Sequence, residues 1–188
     1  MKTKTMEQHS PTVNLIAAVA VDGSIGANSK LLWKIPKDLD FYKARTWDNV
    51  IIMGETTYET LPKVALKGRT TVVVSKKYTE KLPFAPIDEE NDLVVFVRNP
   101  NQAINMAKLI AIRKDCDIYV AGGASIYEQM IEYCDYAFIT WVNKTFEEKA
   151  DKFFPIPKFL TTFEFVSESE YNSYYNLNYK FTTYKRKK

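Results

Sequence analysis

The sequence predicts a single α/β domain: a predominantly parallel central sheet of about eight strands, an antiparallel C-terminal strand and about four flanking helices. Three observations carry this. Five runs (13–21, 50–53, 70–75, 93–97 and 118–121) are short, nearly continuous in apolar character and rich in Val and Ile, as strands buried on both faces must be. The segments between most of them have helical character, the pattern of parallel strands joined by crossovers. After Asp135 the pattern changes to strands alone. The 188 residues, 46% hydrophobic and 26% charged, suit one core and one domain, and the 14% aromatic content argues against disorder.

In chain order, residues 1–12 are expected to form a flexible tail and the domain to span 13–184. The first strand closes at the Asp22-Gly23 turn. The first helix is expected from Pro36, whose fixed φ suits the first helical position, to about Arg45. A short helix is expected at 56–61. Asn99 as N-cap, Pro100 after it and Gln102 three residues past the cap announce the next helix, with Ala103, Ala107 and Ile110 on one stripe. The last helix, from Ala124 to about Tyr133, turns Ile126, Tyr127, Met130 and Ile131 inward. Strands follow at 136–142, 163–167 and 174–184, the last two able to pair antiparallel, and Lys185–Lys188 reads as a basic tail.

Composition removes several kinds of chemistry. The net charge is +3, but the last four residues carry +4, so the rest of the chain sums to −1 and has no excess of basic charge for nucleic acid. No apolar run is long enough to span a membrane, and the polar opening carries no secretory signal, so a cytoplasmic protein is expected. Cys116 and Cys134 are too far apart for a C-x-x-C motif. The one His, His9, lies in the polar N-terminal stretch, which leaves no basis for a His-based metal site or a catalytic histidine in the core.

Several residues suggest a dinucleotide and a flat heterocycle instead. Ala121-Gly122-Gly123-Ala124-Ser125 lies between a buried strand and an amphipathic helix, where glycines let backbone N–H groups approach a phosphate. Gly54-Glu55-Thr56-Thr57 repeats the arrangement, and two such cradles suggest one ligand with several phosphates. The Gly pair alone is also compatible with a tight turn that binds nothing, because it is not the full G-x-G-x-x-G fingerprint. Asp38 shares a helix face with Phe41 and Tyr42, whereas Asp40 lies between Lys37 and Lys43. A carboxylate among rings would have a raised pKa and could hold a nitrogen-rich heterocycle through paired hydrogen bonds. Trp33, with Leu31 and Leu32, reads either as core or as a lid over a planar ligand. Arg69, one of only five Arg beside 21 Lys, stands at a strand mouth and suits bidentate pairing with a carboxylate.

Together, and in order, these stretches resemble the dihydrofolate reductase family over residues 13–184. Ile16 to Gly26 resembles its first strand and loop, and Trp33-Lys34-Ile35-Pro36-Lys37-Asp38 its Trp-x-x-Pro-x-Asp stretch. Met53-Gly54-Glu55-Thr56-Thr57-Tyr58 is similar to its Met-Gly-Arg-x-Thr-Trp element, and Leu66-Lys67-Gly68-Arg69 to Leu-Pro-Gly-Arg. Gly122-Gly123 matches the family's Gly-Gly turn and Asp151 to Pro155 its Asp-Thr-x-Phe-Pro.

The resemblance implies NADPH-dependent reduction of 7,8-dihydrofolate, with hydride to C6 and a proton to N5. Asp38 would hold the pterin N3 and 2-amino group with Thr140 completing its network, and Trp33 would belong to the catalytic set. Ile16, Ala18, Leu31, Tyr42, Leu61 and Leu66 would line the slot, and Arg69 would pair with the α-carboxylate of the glutamate tail. For the cofactor, Ala18, Ile25 and Tyr127 would lie by the nicotinamide. Gly54, Thr56, Thr57 and the segment from Ala121 through Gly122, Gly123, Ala124, Ser125 and Ile126 would lie along the pyrophosphate, with Ser75, Lys76 and Lys77 near the 2′-phosphate. Four positions depart from the family pattern. Glu55 stands where an Arg usually faces the 2′-phosphate, Leu32 replaces a Pro, Tyr58 a Trp and Lys152 a Thr. The expected protein is a monomer that takes a small-molecule substrate and binds neither nucleic acid nor membrane. A reductase of another pteridine or pyrimidine, and a non-catalytic pterin- or nucleotide-binding protein, are the rival readings; NADPH oxidation with and without dihydrofolate separates the last from the enzymes.

Overall fold

A computed structural model describes residues 10–77, 84–86 and 93–188. Its elements run β1 (Val13–Ala20), β2 (Ser24–Gly26), α1 (Pro36–Thr46), β3 (Val50–Gly54), α2 (Glu55–Thr60), β4 (Thr70–Val74), β5 (Phe84–Pro86) and β6 (Leu93–Val97). They continue with α3 (Pro100–Lys114), β7 (Ile118–Val120), α4 (Ala124–Met130), β8 (Tyr136–Val142), β9 (Lys152–Phe153), α5 (Ile156–Thr162), β10 (Phe163–Glu168), β11 (Asn172–Tyr174) and β12 (Leu177–Arg186). The main sheet is ordered β10-β12-β8-β1-β7-β3-β4-β6-β5, with β11 added on β12. Its six central strands, β8 to β6, are all parallel. The C-terminal strands join antiparallel, as the sequence predicts.

Alternation along the strands builds the core in two layers. Leu15, Val19, Val50, Ile52 and Val120 point to one face, where Ala103 and Ala107 of α3, Met130 of α4 and Phe159 of α5 cover them. Ile16, Ile51, Met53, Val73 and Phe138 point to the other, against Phe41 and Tyr42 of α1 and Tyr58 of α2. Burying each Val, Ile or Leu contributes about 1.5–3 kcal/mol, so both faces must be apolar, and the continuous runs follow. The stripe on α3 is small because the helix lies close to the sheet. Its N-terminus is capped as expected: Asn99 Oδ1 accepts from Gln102 N at 2.9 Å, and Gln102 Oε1 accepts in return from Arg98 N.

Some expectations are corrected. Lys185 and Arg186 are not tail but the end of β12. The Arg186 guanidinium donates to the carbonyls of Cys134, Ile131 and Glu132, satisfying the end of the turn that follows α4. Helix α4 tightens to a 3₁₀ turn at Ile131–Tyr133. A fifth helix, α5, went unread because Pro155 and Pro157 look like breakers, yet Pro is tolerated in a helix's first turn. The extra strands β2, β5, β9 and β11 have only two or three residues and no periodicity to read. No described helix is long and apolar enough to cross a membrane.

Candidate active site

The candidate site lies where the C-terminal ends of β1, β3, β4, β7 and β8 open between α1 and the loop from β1 to α1, the region where open parallel sheets hold ligands. In register, Ala18 of β1 lies beside Thr140 of β8, which places the small residue next to the hydroxyl at the mouth of the sheet. Thr140 is buried, and its side chain lies near enough to Asp38 in the first turn of α1 to favour the ionised carboxyl. Burial drives the Asp38 carboxyl above the ordinary carboxylate range, and the Thr140 hydroxyl offsets only part of that.

Aromatic rings surround this pair. Phe41 stacks on Phe181 of β12 with centroids 4.5 Å apart. Tyr42 and Leu61 pack against the layer containing Ile16 and Leu66, so these four expected slot residues do share one wall. Burial also raises the Tyr179 phenol, and the negative charge of Asp38 adds to the shift. Trp33 is buried with Ile35, Val142 and Tyr179, and its ring lies 5.2 Å from that of Phe146. Its indole Nε1 is enclosed yet has no hydrogen-bond partner. Leu31 differs from its expected place in the slot wall: it is 60% exposed.

The two glycine cradles come together. Gly54 N donates to Gly122 O at 2.8 Å, and a Cβ on Gly123 would lie 3.2 Å from Thr57 Oγ1. Tyr127 is buried behind the turn, its hydroxyl donating to Ile16 O at 2.9 Å. Its phenol is held strongly protonated by burial, with the charges of Tyr42 and Asp38 adding to the effect. Ile25, at the start of the loop that follows β1, is buried in the same layer as Tyr127. Ile126 packs under Gly54, Thr56 is exposed, and Ser125 is exposed with its hydroxyl accepting from Gln129 Nε2 at 2.8 Å.

Gly122 has φ +95°, and a Cβ there would fall 2.8 Å from the Tyr127 hydroxyl and ring. Gly122→Ala is therefore expected to cost at least about 1–3 kcal/mol, from the disfavoured backbone and the displaced ring. Chemical denaturation checks it; unchanged stability would mean that the turn relaxes freely.

Arg69 has a role in the fold that the sequence does not reveal. It is 3% exposed, and its Nε donates to Thr46 Oγ1 at 2.7 Å. Its Nη1 reaches Lys67 O at 2.6 Å and Ala65 O at 3.3 Å, and its Nη2 reaches Lys43 O at 3.5 Å. Sequence reasoning also missed Thr46 and Tyr179, which carry no local motif, and read Asp22 only as part of the Asp22-Gly23 turn. The Asp22 carboxylate accepts from Ser24 N at 3.0 Å and Phe146 N at 2.5 Å. Partial burial pushes that carboxyl up, but hydrogen bonds from Phe146, Ser24 and Glu147 outweigh it and leave it below its ordinary value. With Asp151 N bonded to Gly26 O, and Asn28 N to Asp151 Oδ2, these contacts tie the loop after β1 to the loop after β8.

Beyond the cradle, the Glu55 carboxylate accepts from the Ser75 hydroxyl, which also accepts from Lys77 N at 3.1 Å. Lys77 Nζ pairs with Glu59 at 2.6 Å, and Lys76 is exposed.

The family profile described as dihydrofolate reductase matches residues 12–186. A dihydrofolate reductase type 9 of Escherichia coli is 38% identical over 133 residues, 70% of this chain and 71% of that protein. A dihydrofolate reductase of Mycoplasma genitalium is 32% identical over 162 residues, 85% of this chain and 94% of that one. Among solved structures, a dihydrofolate reductase from Enterococcus faecalis complexed with NADP(H) and RAB-propyl superposes with a TM-score of 0.73 at 24% identity. That match covers 95% of this chain and 98% of the other.

Proposed function

The chain belongs to the dihydrofolate reductase family, whose members are NADPH-dependent oxidoreductases, and on that premise we propose that it reduces 7,8-dihydrofolate to tetrahydrofolate with the pterin held at Asp38. The single observation that carries this reading is the Asp38–Thr140 pair: a desolvated carboxylate beside a buried hydroxyl, facing rings at the mouth of a parallel sheet. Asp38 accepts from the pterin N3 and 2-amino group, and Thr140 fixes its orientation. The unpartnered Trp33 Nε1 supplies a buried donor for a substrate oxygen or an ordered water. No second acid lies beside Asp38 in the candidate set, so the proton for N5 enters through water admitted by the loop that carries Trp33.

The residues fit a dinucleotide. A Cβ on Gly122 would collide with Tyr127, and one on Gly54 or Gly123 would crowd Ile126 or Thr57, so glycine suits this cradle at all three positions. NADPH, when bound, supplies the hydride. Gly54, Thr57 and Gly123 would flank its pyrophosphate, while Ala18, Ile25 and Tyr127 would border its nicotinamide and exclude water. Ser75, Lys76 and Lys77 lie toward the 2′-phosphate. Arg69 takes the α-carboxylate of the substrate tail. The protein acts as a cytoplasmic monomer.

The test is NADPH oxidation by the purified protein with and without dihydrofolate. Turnover that requires dihydrofolate supports the reading, and binding without turnover would favour a non-catalytic pterin-binding protein.

Glu55 sets the expected cofactor preference. At about 4 Å, each unit-charge pair contributes about 1 kcal/mol in water and about 4 kcal/mol at the effective dielectric of a protein surface. Lys76 attracts a 2′-phosphate, Glu55 on Ser75 repels it, and the Lys77 charge is shared with Glu59. NADPH should thus be preferred over NADH by a small margin that shrinks with added salt. Glu55→Arg should tighten NADPH several-fold and leave NADH nearly unchanged, while Lys76→Ala should weaken NADPH. These outcomes are read from kcat/KM for both cofactors; an equal shift for both would mean that Glu55 does not face the 2′-position.

A further inference from the structure

On the far side of Trp33 from the sheet core, a cleft of about 440 Å³ opens between the loop after β1, the loop after β8 and the β11–β12 turn. Rings from Trp33, Phe146, Tyr174 and Tyr175 line it together with Lys34 and Lys144, and no carboxylate is among the lining residues. Lys144 Nζ lies 5.6 Å from the Phe146 ring, and neither lysine has an ion-pair partner among the described residues. Tyr175 adds a second oddity. At the first position of a two-residue hairpin turn it has φ +52°, a conformation that glycine or asparagine adopts at least cost, and its ring is 89% exposed. That ring stands edge-on to Tyr174 with centroids 4.7 Å apart. Apart from that contact, this exposed tyrosine at the rim of the cleft presents its ring to solvent.

We propose that this cleft is a second ligand site, separate from the dihydrofolate slot, for a small planar aromatic anion. The rings offer stacking faces, and two lysines without acid partners supply the charge complement that selects an aromatic carboxylate or sulfonate over a neutral ring. Trp33 is a wall common to this cleft and to the proposed pterin site, so filling the pterin site is the control for their independence.

The probe is 2-naphthoate, compared with its uncharged isostere 2-naphthamide. Binding is followed by amide chemical-shift mapping on the full chain, alone and with NADPH and methotrexate filling the other site. Naphthoate should bind with an affinity on the order of 1 mM, as expected of a fragment this size. Shifts should centre on Lys34, Lys144 and Tyr175 and persist with the other site filled. Lys34→Ala with Lys144→Ala should weaken binding at least fivefold, Tyr175→Gly should weaken it without lowering stability, and naphthamide should bind at least fivefold more weakly. Equal binding of naphthoate and naphthamide, shifts centred elsewhere, or no binding at 10 mM would overturn the proposal. Failure of methotrexate to bind would count against the reductase reading and leave the shift map to decide this one.

Discussion

Asp38→Asn is expected to leave the fold and most NADPH affinity intact while lowering kcat/KM for dihydrofolate by at least about 10²-fold, the lower range for losing a positioned acid–base group. Asparagine keeps the shape and the Thr140 contact but presents no charge to the pterin. The same change should act in the opposite direction on stability. Because burial raises the folded-state pKa of Asp38, folding favours its protonated form. Its contribution is therefore full below the unfolded carboxylate pKa and is lost as pH rises through the folded value. Asparagine carries no charge at any pH, so the stability of the variant relative to the wild type should rise as pH rises through the folded-state value of Asp38, and that gain should be absent in acid. Denaturation at both pH values, run beside the kinetics, reads both effects. Turnover within about threefold of the wild type would remove Asp38 from the mechanism.

Arg69→Leu is expected to raise KM for dihydrofolate at least tenfold with kcat little changed, because a guanidinium–carboxylate pair binds ground and transition states alike. It should also lower stability. Arg69 donates to the part-buried carbonyls of Ala65 and Lys67 and to the buried hydroxyl of Thr46, and leaving that buried acceptor unpaired costs about 1–3 kcal/mol. A pterin substrate without the glutamate tail separates the two effects. Its KM should barely change if Arg69 meets the tail carboxylate, and equal losses on both substrates would make Arg69 purely structural.

The parallel half of the fold was legible in the sequence because its strands are buried on both faces. The runs at 50–53 and 118–121 could be little else, and Asn99-Pro100 announced α3 through capping chemistry alone. The short pieces were not legible: β2 and β9 exist because Ser24 and Gly26 meet Phe153 and Lys152, partners more than a hundred residues distant. The same division holds in the site. Asp38 could be picked from Asp40 by its helical neighbours Phe41 and Tyr42, which are local. Tyr179, which feels the charge of Asp38, comes from a strand at the far end of the chain, and Thr46 owes its role to an Arg 23 positions away. Arg69 was legible as an unusual residue at a strand mouth, but not as a tie between three carbonyls. Leu31 was placed in the slot by the family resemblance alone, and it is mostly exposed.

The central claim, that NADPH delivers a hydride to dihydrofolate held at Asp38, is tested most directly with NADPH deuterated at both C4 positions. The wild type and Asp38→Asn would be run with dihydrofolate, and the product examined by mass spectrometry. The account predicts tetrahydrofolate carrying one deuterium at C6 from the wild type, formed at least about 10²-fold more slowly by the asparagine variant at low substrate. Cofactor oxidation without labelled tetrahydrofolate, or equal rates from the two proteins, would contradict it.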